Sequence, residues 1–466
     1  MTLRDYWRST WWIAALIVLS LLSAAAIAGG TSPYVHPDEA LHVNAFCYFE
    51  AAWWPPALND DHLLYSAYGW SRVYSGEIVY LVYGKLMAML EGVGLSGSRS
   101  PGLAQMSNAS NRVYLPYVSG PAWCVKPVAG YRYISVALYA LTLAGLYWAG
   151  RKQRLASVLA LTMMATPQIT YIYSYANSDA WGISMSLALL IFVILSAPMR
   201  LTSWWKMAGI GLLSGLVLLS KQPFWLILPF ACAPLLVDGV LLWRRLRFAS
   251  FARVAGPLFL AVVVVLLVAG PARAIYPLTQ GDFGAKEVQM RESRAEASYR
   301  PSVPTAPGLS SASRGVDFQQ IWGSTWWWST SGRSSYAAFA HMTVWLPDWL
   351  YTAVLGIVML YVTATVLVAG TRWHAIDAWL RVQLVLAPCT IMLAIGASLW
   401  NSWVSDVQPQ GRYLFAGLAP LAVLMGGAMA VEPRWLQKVR YVGWLMLVVT
   451  ALAVLWMYVT WNPVFG

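Results

Sequence analysis

Apolar residues fill this chain in long runs, broken by short polar or basic segments. A run of roughly 17–23 apolar residues lets a helix cross a hydrocarbon core. About eleven such windows occur, over residues 11–29, 131–149, 155–175, 178–197, 206–220, 223–241, 255–273, 348–370, 377–399, 413–431 and 439–460. The pattern predicts an all-α polytopic membrane protein. The first window ends in Ala26-Ile27-Ala28, which resembles a signal-peptide cleavage site. Its length and the Trp11-Trp12 pair predict a retained anchor instead.

Two long stretches lie outside the windows and divide the chain. Residues 1–30 read as an N-terminal anchor and 31–130 as a first large loop. A bundle over 131–273, a second large loop over 274–347 and a C-terminal bundle over 348–466 follow. In the first loop, the apolar run over 78–90 is too short to span, which predicts a helix lying on the membrane surface. In the second, 284–298 is charged and reads as helical. Residues 301–315 are rich in Pro, Ser, Ala and Gly, as expected of a lid or tether.

Composition agrees: 59% of residues are hydrophobic and only 11% charged, against about a quarter charged in a soluble domain. The net charge of +12 does not imply a nucleic-acid partner, because the basic residues sit in short loops. Arg151, Lys152 and Arg154 form one cluster, Arg244, Arg245, Arg247 and Arg253 another, and Arg434, Lys438 and Arg440 a third. With a cytoplasmic N-terminus all three fall inside, together with Arg4, Arg8, Arg200, Lys206, Arg372 and Arg381. Both large loops then face outward from a cytoplasmic (inner) membrane. The abundance of Trp (27) and Tyr (25) partly reflects interfacial belts. Cys232 and Cys389 fall within apolar runs, whereas Cys47 and Cys124 share the outer loop, where an oxidising compartment allows a disulfide. No internal repeat and no Walker, Rossmann or zinc signature is present.

Five polar features converge on the outer side. The stretch His36-Pro37-Asp38-Glu39-Ala40-Leu41-His42 follows the first window directly. Two carboxylates and two histidines exceed what a helix cap requires, and they suit a general base with orienting partners. Asp179, in Asn177-Ser178-Asp179-Ala180, lies on a very short loop near the bilayer; it suits a turn cap, a site residue, or both. Lys221, in Ser220-Lys221-Gln222-Pro223, is a cation on the side where charge bias does not ask for one, so it either snorkels or offers a counter-charge to phosphate. Gln410-Gly411-Arg412-Tyr413 puts a second cation at the mouth of a window, beside a glycine that permits close approach. Trp322 and Trp326, in a tryptophan-rich segment, suit sugar rings and headgroups alike. Asp60-Asp61-His62 reads as a solvated turn rather than a metal site.

In these motifs the chain resembles the GT-C class of integral-membrane glycosyltransferases. It more closely resembles the bacterial membrane-protein family grouped under DUF2142. The resemblance rests on His36-Pro37-Asp38-Glu39, Asn177-Ser178-Asp179, Ser220-Lys221-Gln222-Pro223, Trp322-Gly323 leading to Leu346-Pro347-Asp348-Trp349, and Gln410-Gly411-Arg412-Tyr413. It implies transfer of a sugar from a polyprenyl-phosphate-linked donor to an extracytoplasmic glycan, lipid or protein; it implies no organic cofactor, and most enzymes of the class with lipid-monophosphate donors need no metal, which leaves a metal open. Residues 301–315 and 326–328 have no counterpart in it.

A lipid-phosphate leaving group gains charge as the glycosidic bond breaks, so fixed cations are needed at headgroup depth. Lys221 and Arg412, with Gln410 and Tyr413 beside them, are the candidates for donor binding. An acceptor hydroxyl loses its proton as it attacks, so a carboxylate must reach it. Asp38 is the first choice, with Glu39 and Asp179 orienting or tuning and His36 and His42 supporting. Two alternatives stay open: a polysaccharide polymerase or ligase with a diphosphate-linked donor, and a lipid or sugar transporter.

Overall fold

The computed structural model describes residues 3–93, 128–196, 200–246, 251–303, 310–340 and 342–461. Helices are α1 (Leu3–Gly30), α2 (Glu39–Ala51), α3 (Ile78–Gly92), α4 (Val128–Gly150), α5 (Arg154–Met164), α6 (Pro167–Ile172), α7 (Asp179–Leu195) and α8 (Trp204–Leu218). They continue as α9 (Ile227–Leu246), α10 (Phe251–Gly270), α11 (Phe283–Arg294), α12 (Thr325–Tyr336), α13 (Asp348–Arg372), α14 (Ala378–Val404), α15 (Leu418–Gly426) and α16 (Arg434–Trp461). The only pairing of strand type among the described residues is an isolated antiparallel bridge between Phe339 and Val344.

The chain is a multi-pass, all-helical membrane protein. Among the described residues 8 helical segments are long and apolar enough to cross a bilayer, and three further windows fall on the shorter helices α5, α7 and α8. The window over 155–175 is divided between α5 and α6 because Pro167 has no N–H to continue the ladder. The segment Gly411–Val431 is the most enclosed span, with 72% of its apolar window buried. It runs through the centre as a 3-10 turn, α15 and a second 3-10 turn.

Lipid is as apolar as these side chains, so close packing and polar contacts hold the bundle rather than hydrophobic transfer. Its main core joins α1, α4, α5, α7, α15 and α16 through residues such as Ile13, Tyr139, Leu159, Leu190, Val423 and Leu455. A second core lies under the first loop, where Tyr80, Tyr83 and Tyr131 each pack a ring against Phe46. The α2–α3 pair closes tightly: a Cβ at Gly84 would meet the Phe46 carbonyl oxygen at 2.5 Å. One face of α3 is therefore packed, while Leu86, Met89 and Val93 are exposed on the other.

The two large loops pack on each other. Met290 of α11 enters the second core, Arg294 Nε donates to Asn59 Oδ1 at 2.6 Å, and Glu296 N donates to the Ala67 carbonyl at 3.0 Å. The charged stretch expected to be helical over 284–298 is α11 with a following turn. Part of 301–315 lies outside the described residues. Its distal end is tied to α14 by Ser311 N donating to the Ser402 carbonyl at 3.1 Å. Cys124 also lies outside the described residues; Cys47 is disulfide-bonded, and Cys232 and Cys389 are free.

Candidate active site

Asp38 precedes α2 with φ 57°, in the left-handed region that a non-glycine residue adopts only under constraint. Pro37 limits the residue before it, and the backbone N–H of His42 bonds the Asp38 carbonyl at 3.0 Å. The carboxylate makes no capping bond to α2. It turns outward instead, with Oδ2 3.1 Å from Arg72 Nη2 and 3.4 Å from Arg412 Nη2.

Arg412 continues the network. Its Nη1 is 3.7 Å from Asp179 Oδ2, and Asp179 Oδ1 is 2.8 Å from Lys221 Nζ. Asp179 is free to pair because Asn177 caps α7 in its place: Asn177 Oδ1 accepts from the N–H groups of Asp179 and Ala180 at 2.8 and 3.1 Å. The Arg412, Asp179 and Lys221 side chains are buried, whereas Asp38 is 32% exposed. Arg412 reaches this position because Gly411 lies flat against α12: a Cβ there would meet Ser335 N at 1.9 Å, and Gly411 N donates to Ser334 Oγ at 2.7 Å.

Three cations and two carboxylates thus share one cluster, and its electrostatics follow. Burial raises the Asp38 carboxyl, but Arg72 and then Arg412 outweigh it and hold the group well below the usual carboxylate range. Burial lowers the Lys221 ammonium, with Asp179 opposing the shift. Arg412 Nε and Nη1 are buried and, among the described residues, make no hydrogen bond, and Arg412 itself does not line the charged cavity beside the cluster.

Glu39, next in sequence, has a different environment. Its fully buried carboxylate takes both Arg132 Nε (2.8 Å) and Nη2 (2.7 Å), and also accepts from Tyr34 N at 3.0 Å and Ala176 N at 3.3 Å. Arg132 further donates to the Thr31 carbonyl at 2.6 Å, stapling α1, α2 and α4 together. The histidines brace this frame. His36 lies 2.7 Å from the Tyr171 hydroxyl and 3.0 Å from Thr31 Oγ1, and stacks on Tyr175. His42 Nδ1 lies 2.9 Å from the Tyr80 hydroxyl. Burial, reinforced by Arg72, holds the His42 imidazole well below its ordinary value, so the ring is neutral.

Beside the cluster opens a cavity of about 500 Å³. Arg72, Lys221, Arg273 and Glu77 line its charged side, with Tyr413 and Asn401 adjacent; Leu226, Ala394 and Ala397, from the spans, form an apolar wall. Arg273 is fixed by donating to the carbonyls of Ser75 (2.8 Å), Leu218 (3.1 Å) and Ser220 (2.7 Å). Tyr413 donates its hydroxyl to Gln408, and Gln408 in turn donates to Asp406. Gln410 and Arg412 border a small crevice on the far side, next to Pro37, Tyr171 and Tyr175.

Trp322 and Trp326 are exposed and, among the described residues, neither lines the charged cavity. Trp327 is the buried member of that run, donating to Ser402 Oγ at 3.0 Å. The Asp60–His62 turn is surface-exposed at His62, whose Nδ1 is 3.0 Å from Asp60 Oδ1, and Asp61 pairs with Arg294. Among the described residues no group of three or more His, Cys, Asp and Glu side chains could hold a metal ion.

Sequence reasoning missed Arg72, Glu77 and Arg273 in the cavity wall and Arg132 in the frame. Arg72 sits in a polar stretch of the first loop with nothing local to mark it, and Arg132 lies in an apolar window, where an ionisable residue is itself a signal.

No family model and no curated protein matches the chain, so the family resemblance remains one of motifs. Among solved structures, the fold is similar to ArnT from Cupriavidus metallidurans bound to undecaprenyl phosphate, with 15% identity and a TM-score of 0.48. That match covers 97% of this chain and 66% of the other. The apo state of the same protein matches at 12% identity and TM-score 0.36, over 90% of this chain and 78% of that one.

Proposed function

We propose that the protein is a GT-C-type glycosyltransferase of the cytoplasmic membrane. It would move a sugar from a polyprenyl-phosphate-linked donor to an acceptor hydroxyl at the outer face. The observation that carries this reading is the ion cluster of Asp38, Arg72, Arg412, Asp179 and Lys221 at the edge of a cavity half cationic and half apolar. That combination suits a phosphate-headed lipid.

The donor phosphodiester carries one negative charge, and its departure leaves a phosphomonoester with two. Arg72, Lys221 and Arg412 stabilise the added charge in a site shielded from water. The acceptor oxygen attacks the anomeric carbon, the carbon–oxygen bond to phosphate breaks with both electrons leaving on phosphate, and the acceptor proton passes to Asp38. The Arg72 and Arg412 guanidiniums hold Asp38 ionised and so make it a weak base. A bound phosphate draws those guanidiniums to itself and makes Asp38 more basic, so base strength arrives together with the donor. Glu39 and Arg132 hold the turn that carries Asp38, and Asp179 sets the spacing of Lys221 and Arg412.

Purified protein incubated with a panel of polyprenyl-phosphate sugars should release the lipid phosphate. Turnover only with diphosphate-linked donors would favour the polymerase or ligase reading. Passage of substrate across liposomes without bond cleavage would favour transport.

A further inference from the structure

Among the described residues, Glu77 is the one acid that lines the charged cavity, and no step of the transfer calls on it. Its backbone is pinned at the start of α3: Ile78 N donates to the Leu219 carbonyl at 3.0 Å, and Glu77 N to Ser75 Oγ at 3.4 Å. The residue is 8% exposed, its side chain caps nothing, and it is absent from the ion pairs that tie the other charges together. Its Oε2 has no hydrogen-bond partner among the described residues. A buried carboxylate without a contact partner is costly unless nearby cations answer its charge through space. Arg72, Lys221 and Arg273 all lie close enough to feel it. Arg273 is placed in the complementary way, since it spends Nε, Nη1 and Nη2 on three carbonyls rather than on an acid.

What the site offers a ligand is the sum of these charges. Cavity and cluster together hold four cations, Arg72, Arg273, Lys221 and Arg412, and three carboxylates, Asp38, Asp179 and Glu77. One positive charge is left over. Beyond them, Asp406 and Arg314 are opposite in sign and offset each other, and the Glu39–Arg132 pair is neutral as a unit. Without Glu77 the remainder would be two.

We infer that Glu77 sets the net charge of the site so that it accepts a lipid monophosphate and discriminates against a lipid diphosphate. The inference rests on the reading of the cavity as the donor site. A sugar-bearing monophosphate carries one negative charge, which cancels the remainder. During transfer the phosphate gains a second negative charge while Asp38 takes up the acceptor proton, so the balance holds from start to finish. A diphosphate-linked donor brings two negative charges and leaves one uncompensated throughout, in a buried site where water screens it poorly. Glu77 acts on the ligand through its field and needs no contact with it.

The test compares the affinities of undecaprenyl phosphate and undecaprenyl diphosphate for the detergent-purified full chain, titrated by native mass spectrometry. The two lipids differ by one phosphate group and one unit of charge. Wild type should hold the monophosphate at least about tenfold more tightly, the effect of one unit charge across a cavity of this size at an effective dielectric of ~20. Glu77→Gln keeps the shape of the side chain, adds one positive charge to the site and should narrow that ratio by about the same factor. Arg273→Gln should widen it, and the double variant should return to the wild-type ratio. Should one single variant fail to fold, the wild-type ratio and the other variant decide. Equal or tighter binding of the diphosphate by wild type overturns the inference. An unmoved ratio in Glu77→Gln, with the monophosphate still bound, also overturns it, because size rather than charge would then exclude the diphosphate; the transferase reading would stand. Binding of neither lipid overturns both.

Discussion

Asp38 and Arg412 are 374 positions apart in the chain, yet their side chains approach to 3.4 Å. The contact joins the first large loop to the start of the central apolar segment Gly411–Val431. Asp38→Asn keeps the shape of the side chain and removes its basicity. Transfer should fall by about 100-fold or more, while gel filtration and thermal melting stay near wild type because Asp38 caps nothing. Wild-type turnover would remove Asp38 from the mechanism.

Lys221 and Asp179 should behave as a buried pair. Lys221→Met leaves the buried Asp179 carboxylate with only its longer contact to Arg412 and should cost up to about 3–5 kcal/mol, whereas the double variant with Asp179→Asn should recover part of that stability. Activity should recover in neither, since the cation itself is required; loss on the order of 100-fold is expected. Denaturation and donor-binding measurements on the single and double variants separate the two effects. Full activity in the double variant would refute the phosphate role.

The buried Glu39–Arg132 pair should act as a frame rather than as a reacting group. Glu39→Gln leaves a buried guanidinium without its counter-charge and should destabilise by about 3–5 kcal/mol. The remaining folded protein should retain donor affinity. A variant that melts normally but does not turn over would instead assign Glu39 to the chemistry.

Folding stability should respond to pH through Asp38 with a definite sign. Its folded value is depressed, so the ion-pair contribution is complete above the unfolded carboxylate value of about 3.9 and is lost only as pH falls through the folded value. Melting temperatures of wild type and Asp38→Asn should therefore converge in strong acid and differ by a constant amount above pH ~5. Burial holds His42 well below its ordinary value, so His42→Gln should leave the shape of the pH–rate curve around neutrality unchanged.

Gly411→Ala places a methyl group 1.9 Å from a backbone nitrogen of α12. The helix must move, and Arg412 with it. Activity should drop at least tenfold with little loss of secondary structure, measurable by turnover and circular dichroism.

Much of this arrangement is legible in one dimension. Hydropathy marks the eight segments that, among the described residues, are long and apolar enough to cross, because lipid offers the backbone no partners and only helices satisfy it there. The cationic and acidic motifs at span mouths stand out because charge is rare in such a chain. The differing roles of Asp38 and Glu39 are not legible: adjacent carboxylates are equivalent in a string, and only the left-handed turn at Asp38 sends one to Arg72 and the other to Arg132. Arg72 is hidden for a related reason, since a loop arginine gains meaning only from what folds against it. What the sequence by itself determined is the all-helical, multi-pass character of the chain and the chemical types at the ends of its apolar segments. Which acid meets which base was decided by tertiary structure, because ion pairing depends on distances of a few ångströms that only packing between remote segments can set.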